Sequence, residues 1–205
     1  MSDVSAEAGL SSGAIYTYVE SKEALLHVVL LHFFGHYVEG APPLPIVAPP
    51  IEETLELLGR GLRREAATPR LRSALAALDA GETDDSEDIL QELAEIVDEH
   101  YSLVERLWPI LAVIEKCSVD IPELYQFYFG RRRRAQLELF ARYLGHRSDR
   151  RQLTVLTDPE LTAQLAIEAV TWHAWHRLEG FDAERFGGPA TRETVIDFVC
   201  NAMRP

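Results

Sequence analysis

Hydroxyl-bearing side chains crowd one short stretch near the start of the chain: Ser11, Ser12, Tyr16, Thr17 and Tyr18, with Lys22 just beyond. Small polar groups and phenolic hydroxyls at that density suit hydrogen bonds to phosphates and base edges, which is recognition rather than bond-breaking chemistry. Elsewhere the reactive residue types lack catalytic spacing. No GxSxG, HExxH, GxxxxGK or GxGxxG motif occurs, and none of the seven histidines has a Glu three residues before it, as a carboxylate-bridged di-iron bundle requires. His173 and His176 stand at i, i+3 with no acid a turn before either, so they read as core or interface residues and not as a metal site. Cys117 and Cys200 lack zinc or redox spacing and read as reduced thiols. Arg131 to Arg134 fan around a helix at 100° per residue, which prevents one phosphate-binding stripe. Solvation or pairing with carboxylates is expected for them, with one or two free to line a pocket for an acidic ligand. No catalytic residue, metal or cofactor is expected, and the chain reads as a non-enzyme.

The elements that must position the hydroxyl cluster are helical. A short helix with Val4, Ala6 and Ala8 stops at Gly9, where a positive φ is least costly for glycine. A second helix is predicted over Gly13 to Val19, burying Ile15 and Val19 and turning Ser12, Gly13, Tyr16, Thr17 and Tyr18 outward. A third, capped by Ser21 with Glu23 in its first turn, continues through Tyr37 to about Gly40.

The run AGLSSGAIYTYVESKEALL, with its Ala-Gly pair, Ile15-Tyr16 step, Tyr18, and Ser21, Lys22, Glu23 and Leu25, closely resembles the helix-turn-helix of the TetR/AcrR family of bacterial transcriptional repressors. Val19 replaces the Phe usual there. The resemblance implies that Ser12, Gly13, Tyr16, Thr17 and Tyr18 lie at or near DNA and that Lys22 holds a phosphate. It also implies a further first helix packed across these two. We therefore expect the chain to continue upstream of Met1; the alternative is a helical small-molecule-binding dimer whose truncated head no longer binds DNA. Without that helix, Val4, Ile15 and Leu25 would expose apolar surface. Charge bears on the same choice, since from Met1 to Gly40 Asp3, Glu7, Glu20, Glu23 and Glu39 face Lys22 alone, for a formal charge of −4. One lysine per subunit neutralises little phosphate.

The overall charge of −13 excludes broad affinity for nucleic acid or anionic membrane, although acid confined to the body is compatible with a repressor. No signal peptide and no apolar run of spanning length is visible, so a cytoplasmic location without membrane contact is expected. The proline-rich segment Ala41 to Pro50 reads as a loop. Beyond it the periodicity predicts helices over Ile51 to Ala66, from Thr68 as cap to Gly81, and from Glu87 to Lys116 with a kink or break at Pro109. The acidic run Glu82 to Asp88 reads as a solvated loop with Ser86 as cap rather than a calcium loop. Further helices open at Pro122, at Asp158-Pro159 and after Gly188-Pro189. The expectation is an all-α subunit with a helix-turn-helix region over residues 1–40 and a ligand-binding and dimerisation domain over 41–205. The last two apolar-rich helices, Asp158 to Leu178 and Thr191 to Met203, suit a two-fold four-helix interface. The resemblance implies the same homodimer, on a pseudo-palindromic operator, released by a small effector. Phe33, Phe34, Tyr37, Trp108, Tyr125, Phe129 and Trp172 are the large side chains available to hold an apolar or aromatic ligand.

Overall fold

A computed structural model describes residues 2–11, 13–35, 42–65, 68–81, 89–155, 158–179 and 188–205. Among these the fold is all-α: α1 (Ser2–Glu7), α2 (Lys22–Phe33), α3 (Ile51–Glu65), α4 (Pro69–Asp79), α5 (Ile89–Ser118), α6 (Pro122–Tyr125), α7 (Arg134–Asp149), α8 (Pro159–Ala174) and α9 (Pro189–Ala202). No described helix is long and apolar enough to cross a membrane. The chain packs as two units, Met1–Glu65 with Ile110–Phe127, and Ala66–Pro109 with Tyr128–Pro205. The expected division at residue 40 falls inside the first, and α5 carries residues of both.

Several helix boundaries follow local chemistry. Ser21 accepts a hydrogen bond from the Ala24 amide at 3.2 Å, and Asp158 accepts one from Leu161 at 2.9 Å, so each covers an amide that the first helical turn leaves open. Gly9 and Gly81 follow helix ends with φ of +66° and +75°, as the turns there require. Other boundaries depart from expectation. The helix predicted to reach Tyr37 ends at Phe33, because Gly35 turns the chain at φ +72°; residues 36–41 lie outside the described ones. Thr68 precedes Pro69 but makes no side-chain cap. Pro109 lies within a continuous α5: the helix is not split there. Between α6 and α7 the chain takes a wider π-helical turn over Gln126–Arg133, where a continued α-helix is predicted. The acidic run with Ser86 lies outside the described residues.

In the first unit the core is built around Leu26, Leu30 and Phe34 of α2 and its end, Leu58 and Leu62 of α3, and Ile110, Ile114 and Leu124. Phe34 packs so tightly on Gly61 that a β-carbon there would meet its ring at 2.4 Å. In the second unit α7 packs against α4 and α8, and α8 against α9. Its core includes Leu71, Leu93, Phe140, Tyr143 and Val170, and it also buries Arg147. That guanidinium donates to Glu92 at 2.6 and 3.1 Å and to Gln152 at 2.9 Å, while the Tyr143 hydroxyl donates to the same Glu92 oxygen at 2.7 Å. A buried charge survives only when it is paired and hydrogen-bonded in this way.

Candidate functional site

The hydroxyl cluster sits on a turn rather than on a full helix. Where a helix over Gly13 to Val19 is predicted, a single 3-10 turn covers Ala14–Thr17, and Val19 forms an isolated parallel bridge with Ile46. The tertiary partner explains the difference. The Glu20 amide donates to the Ile46 carbonyl at 3.0 Å, the Ile46 amide to the Tyr18 carbonyl at 2.8 Å, and the Ala48 amide to the Glu20 carboxylate at 2.9 Å. These bonds engage backbone groups after Thr17 that a longer helix would have used for itself. They also bring Ile46 and Ala48 of the proline-rich segment onto a small core of Ile15, Val19 and Ala24, with Leu25 beside it. Of the three residues expected to expose apolar surface, Val4 is 44% exposed, Ile15 is buried and Leu25 is half-buried.

Gly13, Tyr16, Thr17 and Tyr18 are exposed, the two tyrosines at 47% and 51%. The Thr17 hydroxyl donates to the Ala14 carbonyl at 2.7 Å, which steadies the turn from within. Ser12 lies outside the described residues. Lys22 opens α2 on the exposed surface, but its amine donates to the Asp120 carboxylate at 2.5 Å. That hydrogen bond, with the attraction of the opposite charges, raises the pKa of Lys22 and lowers that of Asp120. The turn thus offers hydroxyls and backbone to a partner, while its cation already has one.

The described aromatic residues named for a ligand are divided between the two units, Phe33, Phe34 and Tyr125 in the first and Trp108, Phe129 and Trp172 in the second. Phe33 and Phe34 meet edge-to-face at 5.3 Å, with Phe34 committed to the core. Trp108 and Phe129 are half-buried, the latter edge-to-face with Tyr128 at 5.0 Å. Tyr125 and Trp172 are 50% and 58% exposed, and Tyr37 lies outside the described residues.

A cavity instead opens in the second unit. Its walls are Leu71 of α4, Val97 of α5, Phe140 of α7 and Val170 of α8, and its polar members are Thr68, His100 and Gln136. The space is ≈ 370 Å³ when counted out through its open mouth. Within it ≈ 20 Å³ is free to the centre of a water-sized group. Both ring nitrogens of His100 are buried and, among the described residues, have no hydrogen-bond partner, although part of the residue is exposed. Burial first, and the Arg133 guanidinium second, lower its pKa to about 4, so the imidazole is neutral at pH 7. None of the six described residues named for the ligand lines this cavity. The sequence signal that would have found it is the position of His100 on the apolar stripe Leu93, Ile96, Val97, Val104 and Leu107, where a polar residue at helical spacing is directed into the core.

Several other polar groups are engaged locally, whereas among the described residues the buried Ser5 Oγ and Trp175 Nε1 have no hydrogen-bond partner. Arg133 pairs with Glu168, and Arg134 pairs with Glu138 at 3.2 Å, in line with the expected pairing with carboxylates. His173 Nδ1 donates to the Ala169 carbonyl at 2.9 Å, and His176 stacks on Trp175 at 4.1 Å between ring centres. Among the described residues no three His, Cys, Asp or Glu side chains are grouped to hold a metal ion. The free thiol of Cys200 is buried, and burial pushes its pKa up to about 11, which leaves it protonated and unreactive at pH 7. On α8, Leu161, Leu165 and Trp172 are each more than half exposed and fall within an arc of about 40° at 100° per residue. Phe198 of α9 is 66% exposed. No family model, no curated protein and no solved structure matches the chain.

Proposed function

We propose that this protein is a DNA-binding transcriptional regulator of the type that the TetR/AcrR resemblance implies, a homodimer whose helical body takes up a small effector. The observation that carries the reading is the division of the turn: Ile15 and Val19 are buried beneath it while Gly13, Tyr16, Thr17 and Tyr18 face water. A recognition element needs that division, because its apolar side must anchor it while its polar side stays free for phosphates and base edges. Two further features support the reading. The exposed apolar stripe of α8, with Phe198 of α9, matches the surface expected to pair two subunits, and a dimer displays two turns for two half-sites. The cavity gives the body somewhere to receive an effector whose unequal affinity for two conformations would shift the balance between them. Such a regulator works in the cytoplasm and has no catalytic step.

Selection of binding sites from random duplex DNA by the purified chain tests the proposal. Enrichment of a pseudo-palindrome that Tyr16→Ala abolishes is the expected result. Failure to enrich any sequence at low salt overturns it. A specific observation favours a second reading, a helical small-molecule-binding dimer without DNA affinity: the turn's lysine is held by Asp120, and the surrounding segment is acidic. Under that reading the chain dimerises and binds small ligands, and the selection returns nothing.

A further inference from the structure

We propose that the cavity of the second unit is a site for a small uncharged molecule bearing a hydroxyl group, which hydrogen-bonds to His100 while its apolar part lies against Leu71, Val97, Phe140 and Val170. The inference rests on reading the helical body as ligand-binding, and it adds the chemistry that the ligand must carry.

The argument begins from an imbalance. Buried polar atoms are almost always hydrogen-bonded, and leaving one unpaired costs free energy comparable to a lost hydrogen bond. Among the described residues His100 leaves two ring nitrogens in that condition, and the same residue lines a cavity. Charge selects among the partners that could restore the balance. A neutral imidazole presents one N–H and one bare nitrogen. A carboxylate would be best served by the charged form, which burial and the nearby Arg133 both oppose. Arg133 itself is paired with Glu168. A cation finds no acid among the lining residues. An uncharged hydroxyl both donates and accepts, so it satisfies whichever nitrogen faces it in either tautomer. The surrounding walls are aliphatic and aromatic, and they match a hydrocarbon or ring attached to that hydroxyl. The free interior is small, which limits the ligand to a small molecule.

The experiment titrates phenol, toluene and benzoate into the full chain at pH 7.5 without DNA, following the ¹⁵N resonances of labelled histidine and the dissociation constants. Phenol is expected to bind about fivefold or more tightly than toluene, the difference one hydrogen bond supplies, and more tightly than benzoate. It should shift the ring nitrogens of His100. His100→Phe should retain toluene binding and erase the preference for phenol. If that variant does not fold, His100→Gln serves in its place, because its amide keeps a donor and an acceptor and should retain a reduced preference for phenol. Equal binding of phenol and toluene overturns the proposal, as does benzoate binding tightest. So does the absence of any shift at His100 up to the solubility limit of phenol, which would mean that the imidazole faces water only. Because DNA is absent, failure here leaves the DNA-binding proposal standing, and failure of site selection leaves this one standing.

Discussion

The hydroxyl-rich turn of the first unit and the interior of the second treat polar groups in opposite ways. In the first, Tyr16 and Tyr18 are about half exposed, and the Lys22–Asp120 pair is also about half exposed on each side. In the second, the Arg147–Glu92 pair is 6% and 16% exposed, Tyr143 is buried with it, and the ring nitrogens of His100 are sealed off without partners. Water satisfies an exposed hydroxyl or ion at little cost, so the polar groups of the turn are free to exchange water for a ligand. Buried polar groups have no such freedom. Each must be satisfied by the protein, and Arg147 is; among the described residues His100, Trp175 Nε1 and Ser5 Oγ are not, and of these only His100 lines the cavity. On the proposed reading, the contrast separates a surface that recognises by exposure from a cavity that recognises by need.

The contrast can be tested at several strengths. Arg147→Met should produce the largest effect, a loss of roughly 3 to 5 kcal/mol, because it strands the Glu92 carboxylate in the interior. Urea unfolding measures it, and the double variant Arg147→Met with Glu92→Leu should recover most of the loss. A comparable cost for the double variant would show that geometry rather than stranded charge is at issue.

Acidification comes next. His100 is neutral in the fold with a pKa of about 4, whereas the unfolded chain protonates it near 6.5. Between those values the unfolded state binds the extra proton, so stability falls as pH falls and is fully present only above about 6.5. From pH 7.5 to pH 5 this one residue should account for about 2 kcal/mol. Unfolding free energies of the wild type and His100→Phe at both values isolate that share, since carboxylate titration is common to both. A pH dependence unaltered by the substitution would mean that the imidazole is not sealed off.

Gly61→Ala in the first unit should cost about 1 kcal/mol net: the clash with the Phe34 ring outweighs the gain from replacing glycine in a helix. Adding Phe34→Leu should turn part of that penalty back, as thermal unfolding would register. Asp120→Asn should have the smallest effect on stability, within about 0.5 kcal/mol, because exposed ion pairs contribute little. Its expected effect lies elsewhere, in freeing Lys22 for phosphate. The dependence of DNA affinity on salt should steepen by about one unit of log–log slope per subunit. An unchanged slope would mean that Lys22 does not face phosphate even when released.

Much of the fold was legible because its signals are local. Ser21 and Asp158 cap the helices predicted from them, the prolines at 69, 159 and 189 stand at first helical positions, and Gly9 and Gly81 follow helix ends. In each case the chemistry lies within a few residues of the boundary it sets. Apolar spacing on α3 is a partial guide: Leu58 and Leu62 are buried, whereas Leu55 at the same helical spacing is half-buried and Leu57 lies inward. The turn was less legible. Its length depends on hydrogen bonds to Ile46 and Ala48, about thirty residues away, and no local pattern announces them.

The candidate ligand site was the least legible part. Choosing large aromatic residues assumed that size marks a cavity wall, yet large rings also fill cores, as Phe34 does, or remain at the surface, as Trp172 does. The cavity is bordered mainly by aliphatic residues from three helices, with Gln136 and Phe140 from a fourth, and each aliphatic residue alone resembles ordinary core.

By itself, then, the sequence determined that the chain is helical, where many of its helices begin and end, and which stretch carries its hydroxyls, because caps, glycines and apolar periodicity act over a turn or two of backbone. Tertiary structure decided that the hydroxyl stretch is a clipped turn, that Lys22 meets Asp120, and that His100 lies inside without a partner. Those outcomes depend on which distant segments are packed together, and burial, unlike periodicity, is a property of neighbours rather than of the chain.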